Sequence, residues 1–239
     1  MQLLVSPQNL NEALECVEAF VDIIDIKNPA EGSLGANFPW VIKTIREAVP
    51  KIIPISATIG DVPYKPGTVA LAALGAATAG ADFVKVGLLG TKTVDEAIEV
   101  MQAVTKTIDE FQLSVSVVAA GYAEGNSIGS ISPLDIPFVA AKASCDFAMI
   151  DTYDKSMKKS IFDILSYSAL ESFIAKARKF DLGTAFGGSI NLTHIPLLQK
   201  LLPDIVGVRG AVCADGDRIN GKIQAYLITN FAEKLKKKE

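Results

Sequence analysis

Val21-Asp22-Ile23-Ile24-Asp25-Ile26-Lys27-Asn28-Pro29 is an apolar run that ends in a carboxylate and an amine two residues apart. In an extended strand the side chains alternate faces, so Asp25 and Lys27 point one way and Ile24 and Ile26 the other. Two charges then share one surface at a strand end. The pattern returns in Ala81-Asp82-Phe83-Val84-Lys85-Val86-Gly87, and again in Phe147-Ala148-Met149-Ile150-Asp151 with Lys155 four residues on. Three apolar strands therefore deliver Lys27, Lys85 and Lys155, with Asp25 and Asp151, to their carboxyl ends. These ends are expected to converge on one active site.

Outward from these strands, the chain alternates strand and helix signals from end to end. Leu3-Leu4-Val5 reads as a buried strand, followed by an amphipathic helix through Glu12, Leu14 and Val17 that Ser6 or Asn9 can cap. A glycine-rich loop over 28–37 precedes a helix begun by Pro39, with Val41, Ile42 and Ile45 as its buried stripe. Strands over 52–59, 113–120, 145–151, 182–186 and 204–208 complete the set of eight with those above. Helices are expected over 68–79, stopped by Gly80, and over 93–111, 133–143, 169–180, 193–202 and 215–236, with a short one at 161–165. The loop over 121–132, with Gly121, Gly125 and Gly129, is long enough to move over a site.

Alternation implies parallel strands with helical crossovers, and eight units in 239 residues fit a closed (β/α)8 TIM-type barrel, a single α/β domain over 1–239. The alternative is an open doubly wound sheet, which would show a glycine-rich dinucleotide turn after its first strand. Ser6-Pro7-Gln8-Asn9 is not one.

Composition narrows the function. With 49% hydrophobic residues the chain can bury a full core, and a net charge of -4 gives no footprint for nucleic acid. Lys234-Leu235-Lys236-Lys237-Lys238 reads as the solvated end of a helix. Cys16, Cys145 and Cys213 match no metal-ligand spacing and suit a reduced, cytoplasmic setting. Neither a signal peptide nor a membrane span is expected. His194, the one histidine, falls in a helical region and reads as a satisfied or exposed helix residue, which makes metal hydrolysis a poor reading. Ser-His-Asp catalysis lacks a suitable serine motif. Trp40 and the phenylalanines read as core.

In a barrel the active site lies at the carboxyl ends of the strands, and phosphate is often held by the loops after strands seven and eight. Phe186-Gly187-Gly188-Ser189 lets backbone N-H groups approach an anion, and Val208-Arg209-Gly210-Ala211 adds a guanidinium beside another glycine. Lysines at buried strand ends are rarely filler, because an ammonium needs a partner or water. At its ordinary pKa of about 10.4 a lysine is almost wholly protonated at pH 7. Burial and neighbouring cations could lower that by about three pH units, a differential of roughly 4 kcal/mol, and give a nucleophile. The aspartates oppose this shift; they could instead hold Lys155 protonated and orient it, or move protons. The expected chemistry is a Schiff base on a small phosphorylated carbonyl compound, with no cofactor. Which lysine carries the imine is left open by the residues alone.

Together, Asp25-Ile26-Lys27-Asn28-Pro29, Asp82-Phe83-Val84-Lys85-Val86-Gly87, Asp151 with Lys155, and Phe186-Gly187-Gly188-Ser189 resemble the (5-formylfuran-3-yl)methyl phosphate synthases of methanofuran biosynthesis across the whole chain. The resemblance implies a TIM-type barrel that condenses two glyceraldehyde 3-phosphate molecules into a furan aldehyde phosphate, with loss of phosphate and water. It implies an imine at Lys27, proton transfer by Lys85, and supporting roles for Asp25, Asp151 and Lys155. Orotidine phosphate decarboxylases use D-x-K-x-x-D, but Ala30 stands where the second aspartate is needed. Class I aldolases of the deoxyribose phosphate type carry their imine lysine in a segment similar to Phe83-Val84-Lys85, which keeps Lys85 open as nucleophile. Another Schiff-base aldolase, or a phosphometabolite-binding barrel without catalysis, are the alternative functions. The expected partners are a small phosphorylated aldehyde and further copies of the chain, with neither nucleic acid nor membrane.

Overall fold

In a computed structural model that describes residues 1–237, the strand runs close into a parallel barrel in simple sequence order. The strands are β1 (Gln2–Val5), β2 (Ile23–Ile26), β3 (Ile55–Thr58), β4 (Phe83–Gly87), β5 (Ser116–Tyr122), β6 (Phe147–Asp151), β7 (Gly183–Phe186) and β8 (Ile205–Val208). Between them run α1 (Leu10–Glu18), α2 (Pro39–Ala48), α3 (Pro66–Thr78), α4 (Val94–Glu110), α5 (Ile136–Lys142), the short α6 (Ile161–Ile164), α7 (Tyr167–Lys179) and α8 (Ile195–Leu201), with α9 (Ala225–Lys236) last. β1 pairs with β8, which closes the ring and leaves no free edge. The chain is a (β/α)8 barrel. Among the described residues no helix is long and apolar enough to cross a membrane.

Strand alternation sorts the core into two layers. Outward-facing Ile24, Ile26, Val84, Val86, Ala148, Ile150 and Val206 pack against the helices in one large cluster. Inward-facing Leu4, Ile23, Val118, Met149, Ala185 and Ile205 fill the barrel, where Phe83 meets Phe147 edge to face at 5.7 Å. This apolar layer occupies the amino-terminal part of the interior. The next inward residues toward the carboxyl ends are polar, so the barrel is plugged below and chemically equipped above.

Several elements differ from the sequence expectation, each for a local reason. β3 begins at Ile55, because Pro54 has no N-H for the ladder, and Ile52 is 88% exposed. β5 extends through Gly121 to Tyr122, and the loop after it is tied down: Ser130 Oγ donates to Leu88 O at 2.8 Å. Trp40 is 64% exposed and stacks on Phe38 at 4.5 Å. It stands two residues before Ile42, about 200° around α2, so burying Ile42 and Ile45 turns Trp40 out. Phe20 and Phe111 are also exposed. The helix expected over 215–236 starts only at Ala225, because Asp215 and Gly216 have positive φ and the chain from Gly210 makes short 3-10 turns. Lys238 of the basic tail lies outside the described residues.

Asn9, not Ser6, caps α1, accepting from Glu12 N-H at 3.1 Å. The helix turns Glu12 inward, where its carboxylate meets Arg209 Nη1 at 2.8 Å and Nη2 at 3.1 Å. A buried guanidinium that loses its carboxylate is left uncompensated. Glu12→Ala is therefore expected to lower unfolding free energy by about 3–5 kcal/mol in urea titration; a loss below about 1 kcal/mol would mean that water takes the carboxylate's place.

Candidate active site

The polar layer opens into a cavity of about 690 Å³ at the carboxyl ends of the strands. Ser6, Asp25, Lys27, Lys85, Asp151, Lys155, Gly187, Gly188, Ser189, Arg209, Gly210 and Ala211 all line it. Every site residue expected from the sequence thus reaches one chamber. A volume in this range suits small-molecule ligands.

Asp25 is wholly buried and accepts four hydrogen bonds. Lys85 Nζ donates to Oδ1 at 2.8 Å and to Oδ2 at 2.9 Å, Ser56 Oγ donates to Oδ1 at 2.8 Å, and Ser6 Oγ donates to Oδ2 at 2.9 Å. The register explains the meeting: Asp25 lies beside Ser56 and Thr58 beside Lys85, so adjacent strands offer their inward residues to one carboxylate. Burial raises the Asp25 carboxyl, but the Lys85 and Lys27 ammonium groups and these hydrogen bonds overcome it and hold the group below the ordinary carboxylate range. Ser6 reads in the sequence only as a possible helix cap, and Ser56 was not singled out; their inward positions, just past β1 and on β3, are the signal that could have indicated them.

Across the chamber, Lys155 Nζ donates to Asp151 Oδ1 and, at 2.7 Å, to Thr152 Oγ1. Asp151 Oδ1 also accepts from Thr152 N-H at 2.7 Å. Burial raises the Asp151 carboxyl, yet Lys155 and Lys27 outweigh it and keep the group ionised. Lys155 lies in the loop after β6, not on the strand. That loop is pinned by Glu124, whose carboxylate accepts from Tyr153 N-H at 2.9 Å and Asp154 N-H at 3.2 Å, and by Ser33 Oγ, which donates to Thr152 O at 2.8 Å.

Lys27 differs from both. It is 7% exposed, and among the described residues its Nζ meets no hydrogen-bond acceptor. Burial pushes the amine down, Asp151 and Asp25 pull it up, and Lys85 and Lys155 push it down again, leaving its pKa at about 7. At neutral pH about half of the Lys27 population is then the free amine. Asp25 and Asp151 are committed to the other two lysines.

At the other wall, Gly188 has φ +93°, and a Cβ there would stand 2.7 Å from Thr152 Cγ2 and from Ile161 Cγ2, so only glycine fits the turn. Among the described residues, the N-H groups of Gly188, Ser189, Gly210 and Ala211 meet no backbone acceptor. Arg209 reaches the cavity wall with its guanidinium already engaged. Besides Glu12, its Nη1 donates to Ser6 O at 2.7 Å and its Nε to Arg218 O at 2.6 Å. Arg218 also lines the cavity and was not singled out in the sequence, where the stretch around it reads as helix.

Fold and site together define a (β/α)8 barrel whose buried lysines, aspartates and glycine loops meet at the carboxyl ends of its strands, where barrel enzymes work. The family model described as 4-HFC-P synthase matches residues 3–232, and the chain belongs to that family. A (5-formylfuran-3-yl)methyl phosphate synthase from Methanopyrus kandleri is 53% identical over 98% of both chains. Synthases of the same name from Methanocaldococcus jannaschii and Methanothermobacter thermautotrophicus are 50% and 49% identical, the first covering 99% of this chain and 100% of its own, the second 98% and 99%. Among solved structures, KGPDC from Streptococcus mutans matches with TM-score 0.67 at 16% identity, covering 98% of this chain and 97% of its own. A 3-hexulose-6-phosphate synthase matches with TM-score 0.63 at 20% identity, covering 97% and 99%. At these identities the two structures speak for the fold alone.

The Lys27 environment has a thermodynamic signature. The folded chain releases this proton near pH 7, whereas an unfolded lysine holds it to about 10.4, so the unfolded state binds more protons between these values and stability rises with pH across the window. Lys27→Met removes the effect. The variant is expected to exceed the parent chain in stability by about 4 kcal/mol at pH 7, with the gap closing by about pH 10. Denaturant titrations at several pH values check this; a pH-independent gap would contradict it.

Proposed function

We propose that the protein condenses two molecules of glyceraldehyde 3-phosphate into (5-formylfuran-3-yl)methyl phosphate through an imine on Lys27, as a carbon-oxygen lyase of methanofuran biosynthesis. The single observation that carries the mechanism is the unpaired, buried Lys27 amine in a chamber where the other strand-end lysines are held by carboxylates. The family supports the product, and the resemblance supplies the substrate.

Two triose phosphates exceed the product by one phosphate and two waters, so the site must make a carbon nucleophile and also assist departing oxygens. The Lys27 amine adds its lone pair to the aldehyde carbon of one triose, forming a carbinolamine. Lys85, held as an ammonium by Asp25, gives a proton to the carbinolamine oxygen, which leaves as water with formation of the iminium. The amine then left on Lys85 takes a proton from the adjacent carbon, and the electrons of that C-H bond neutralise the iminium to an enamine. Asp25 remains ionised throughout and keeps Lys85 in reach. The Lys155 ammonium, oriented by Asp151, stabilises negative charge on departing phosphate or hydroxyl oxygen. The N-H groups of Gly188, Ser189, Gly210 and Ala211 provide the wall against which a phosphate group rests, while the Gly187 N-H is spent on Ile150 O at 2.8 Å.

The aldolase alternative with Lys85 as nucleophile has less support, because Lys85 must first leave a carboxylate that it contacts through both oxygens. A barrel that only binds a phosphometabolite would have no use for a lysine held near neutrality in its floor.

Borohydride added during turnover of glyceraldehyde 3-phosphate is expected to fix substrate carbon on Lys27, read by peptide mass spectrometry, and to leave Lys27→Ala unlabelled. An adduct on Lys85 would reverse the roles. Lys85→Ala removes the proton donor and frees Asp25 to hold Lys27 as an ammonium, so it is expected to label Lys27 more slowly and to form the furan product, followed in the near ultraviolet, at least about 100-fold more slowly.

A further inference from the structure

The cations of the chamber can be sorted by what holds them. Lys85 is held by Asp25, Lys155 by Asp151 and Arg209 by Glu12, and Lys27 is the proposed nucleophile. Lys158 stands exposed at the mouth. Arg218 lines the cavity and is half-buried, and among the described residues its guanidinium meets neither a carboxylate nor any other acceptor.

The adjacent carboxylate does not quench it. Asp217 turns back on its own loop, accepting from Ile219 N-H at 2.9 Å, Asn220 N-H at 3.1 Å and Asn220 Nδ2 at 3.0 Å. Arg218 starts above Gly210, where an added Cβ would lie 3.7 Å from Arg218 Cβ. It lines the same cavity as Lys155 and Asp151. Its backbone is fixed from beneath: Arg209 Nε donates to Arg218 O at 2.6 Å while the same guanidinium is clamped by Glu12 and Ser6 O.

We propose that Arg218 is the guanidinium that receives a substrate phosphate, and that Arg209, buried and neutralised by Glu12, is the positioning residue that sets Arg218 over the glycine loops. This rests on the reading that the substrate is phosphorylated, and it assigns that recognition to a residue outside the Val208-Arg209-Gly210 stretch. A phosphate dianion offers planar pairs of oxygens that a guanidinium binds bidentately, and a fork free of protein carboxylates keeps its full charge for the ligand. The unpaired N-H groups of Gly188, Ser189, Gly210 and Ala211 complete the anion's hydrogen bonds.

The test begins with inorganic phosphate, followed by phosphorus NMR as it is titrated with the full chain. The parent chain is expected to bind it, Arg218→Ala to bind it about ten- to hundredfold more weakly, and Arg218→Lys to recover only part of the loss. A parent chain that leaves the phosphate signal unchanged, or an Arg218→Ala variant that binds as the parent does, overturns the proposal. Borohydride trapping supplies the second arm. With glyceraldehyde 3-phosphate the concentration needed for half-maximal labelling of Lys27 should rise at least about tenfold in Arg218→Ala, whereas with unphosphorylated glyceraldehyde the variant and parent should label alike. A parallel loss with both aldehydes would make Arg218 a structural residue and overturn the proposal. Phosphate binding requires no imine, so Arg218-dependent binding in a chain that traps no aldehyde would sink the imine reading and leave this one standing.

Discussion

The buried Asp25 carboxylate decides what each lysine of the chamber can be. By accepting both contacts from Lys85, and one each from Ser6 and Ser56, it is saturated and stays ionised without turning to Lys27. A buried ion pair of this kind adds little to stability, since desolvation of both charges offsets most of their attraction. Its value here is distribution: it fixes one lysine as an ammonium and leaves another without a counterion. Asp151 repeats the arrangement with Lys155 on the facing wall. Lys27, between two committed carboxylates and two cations, is driven toward its neutral form by burial.

The barrel makes this distribution possible because parallel register carries inward residues of neighbouring strands to nearly the same height. Asp25 beside Ser56 and Thr58 beside Lys85 are consequences of the same ladder. The apolar layer beneath, with Phe83 against Phe147, closes the lower end and lets the polar layer open only upward. A second hydrogen-bonded path joins the two sides of the ring closure: Arg209 donates to Ser6 O, and Ser6 Oγ donates to Asp25. The loop after β8 is thereby connected to the ion pair in the floor, and α1 contributes Glu12 to the same structure.

Much of this was legible in the residues. Period-two alternation around Asp25, Lys85 and Asp151 placed those side chains inside a barrel, and burial of a strand-end lysine already implied a lowered pKa. What escaped was set by contacts distant in sequence. Glu12 and Arg209 are 197 residues apart, and nothing local to either announces the pair that engages the Arg209 guanidinium. Asp25 also gave no sign that it would choose Lys85, 60 residues away, over Lys27, two residues away. The stretch from Asp215 has enough helix formers to read as helix, whereas positive φ at Asp215 and Gly216 breaks it and brings Arg218 to the chamber. Trp40 read as core from its size, but the buried stripe of α2 left it on the far face.

The chemistry of the chamber turns on Lys27 being the amine that titrates near neutrality. Site-specific NMR of lysine side chains, with the Lys27 signal assigned by its loss in Lys27→Met and followed from pH 5 to 11, measures that directly. The Lys27 signal is expected to titrate with a midpoint of about 7. A Lys27 midpoint near the ordinary lysine value of about 10.4 would contradict it.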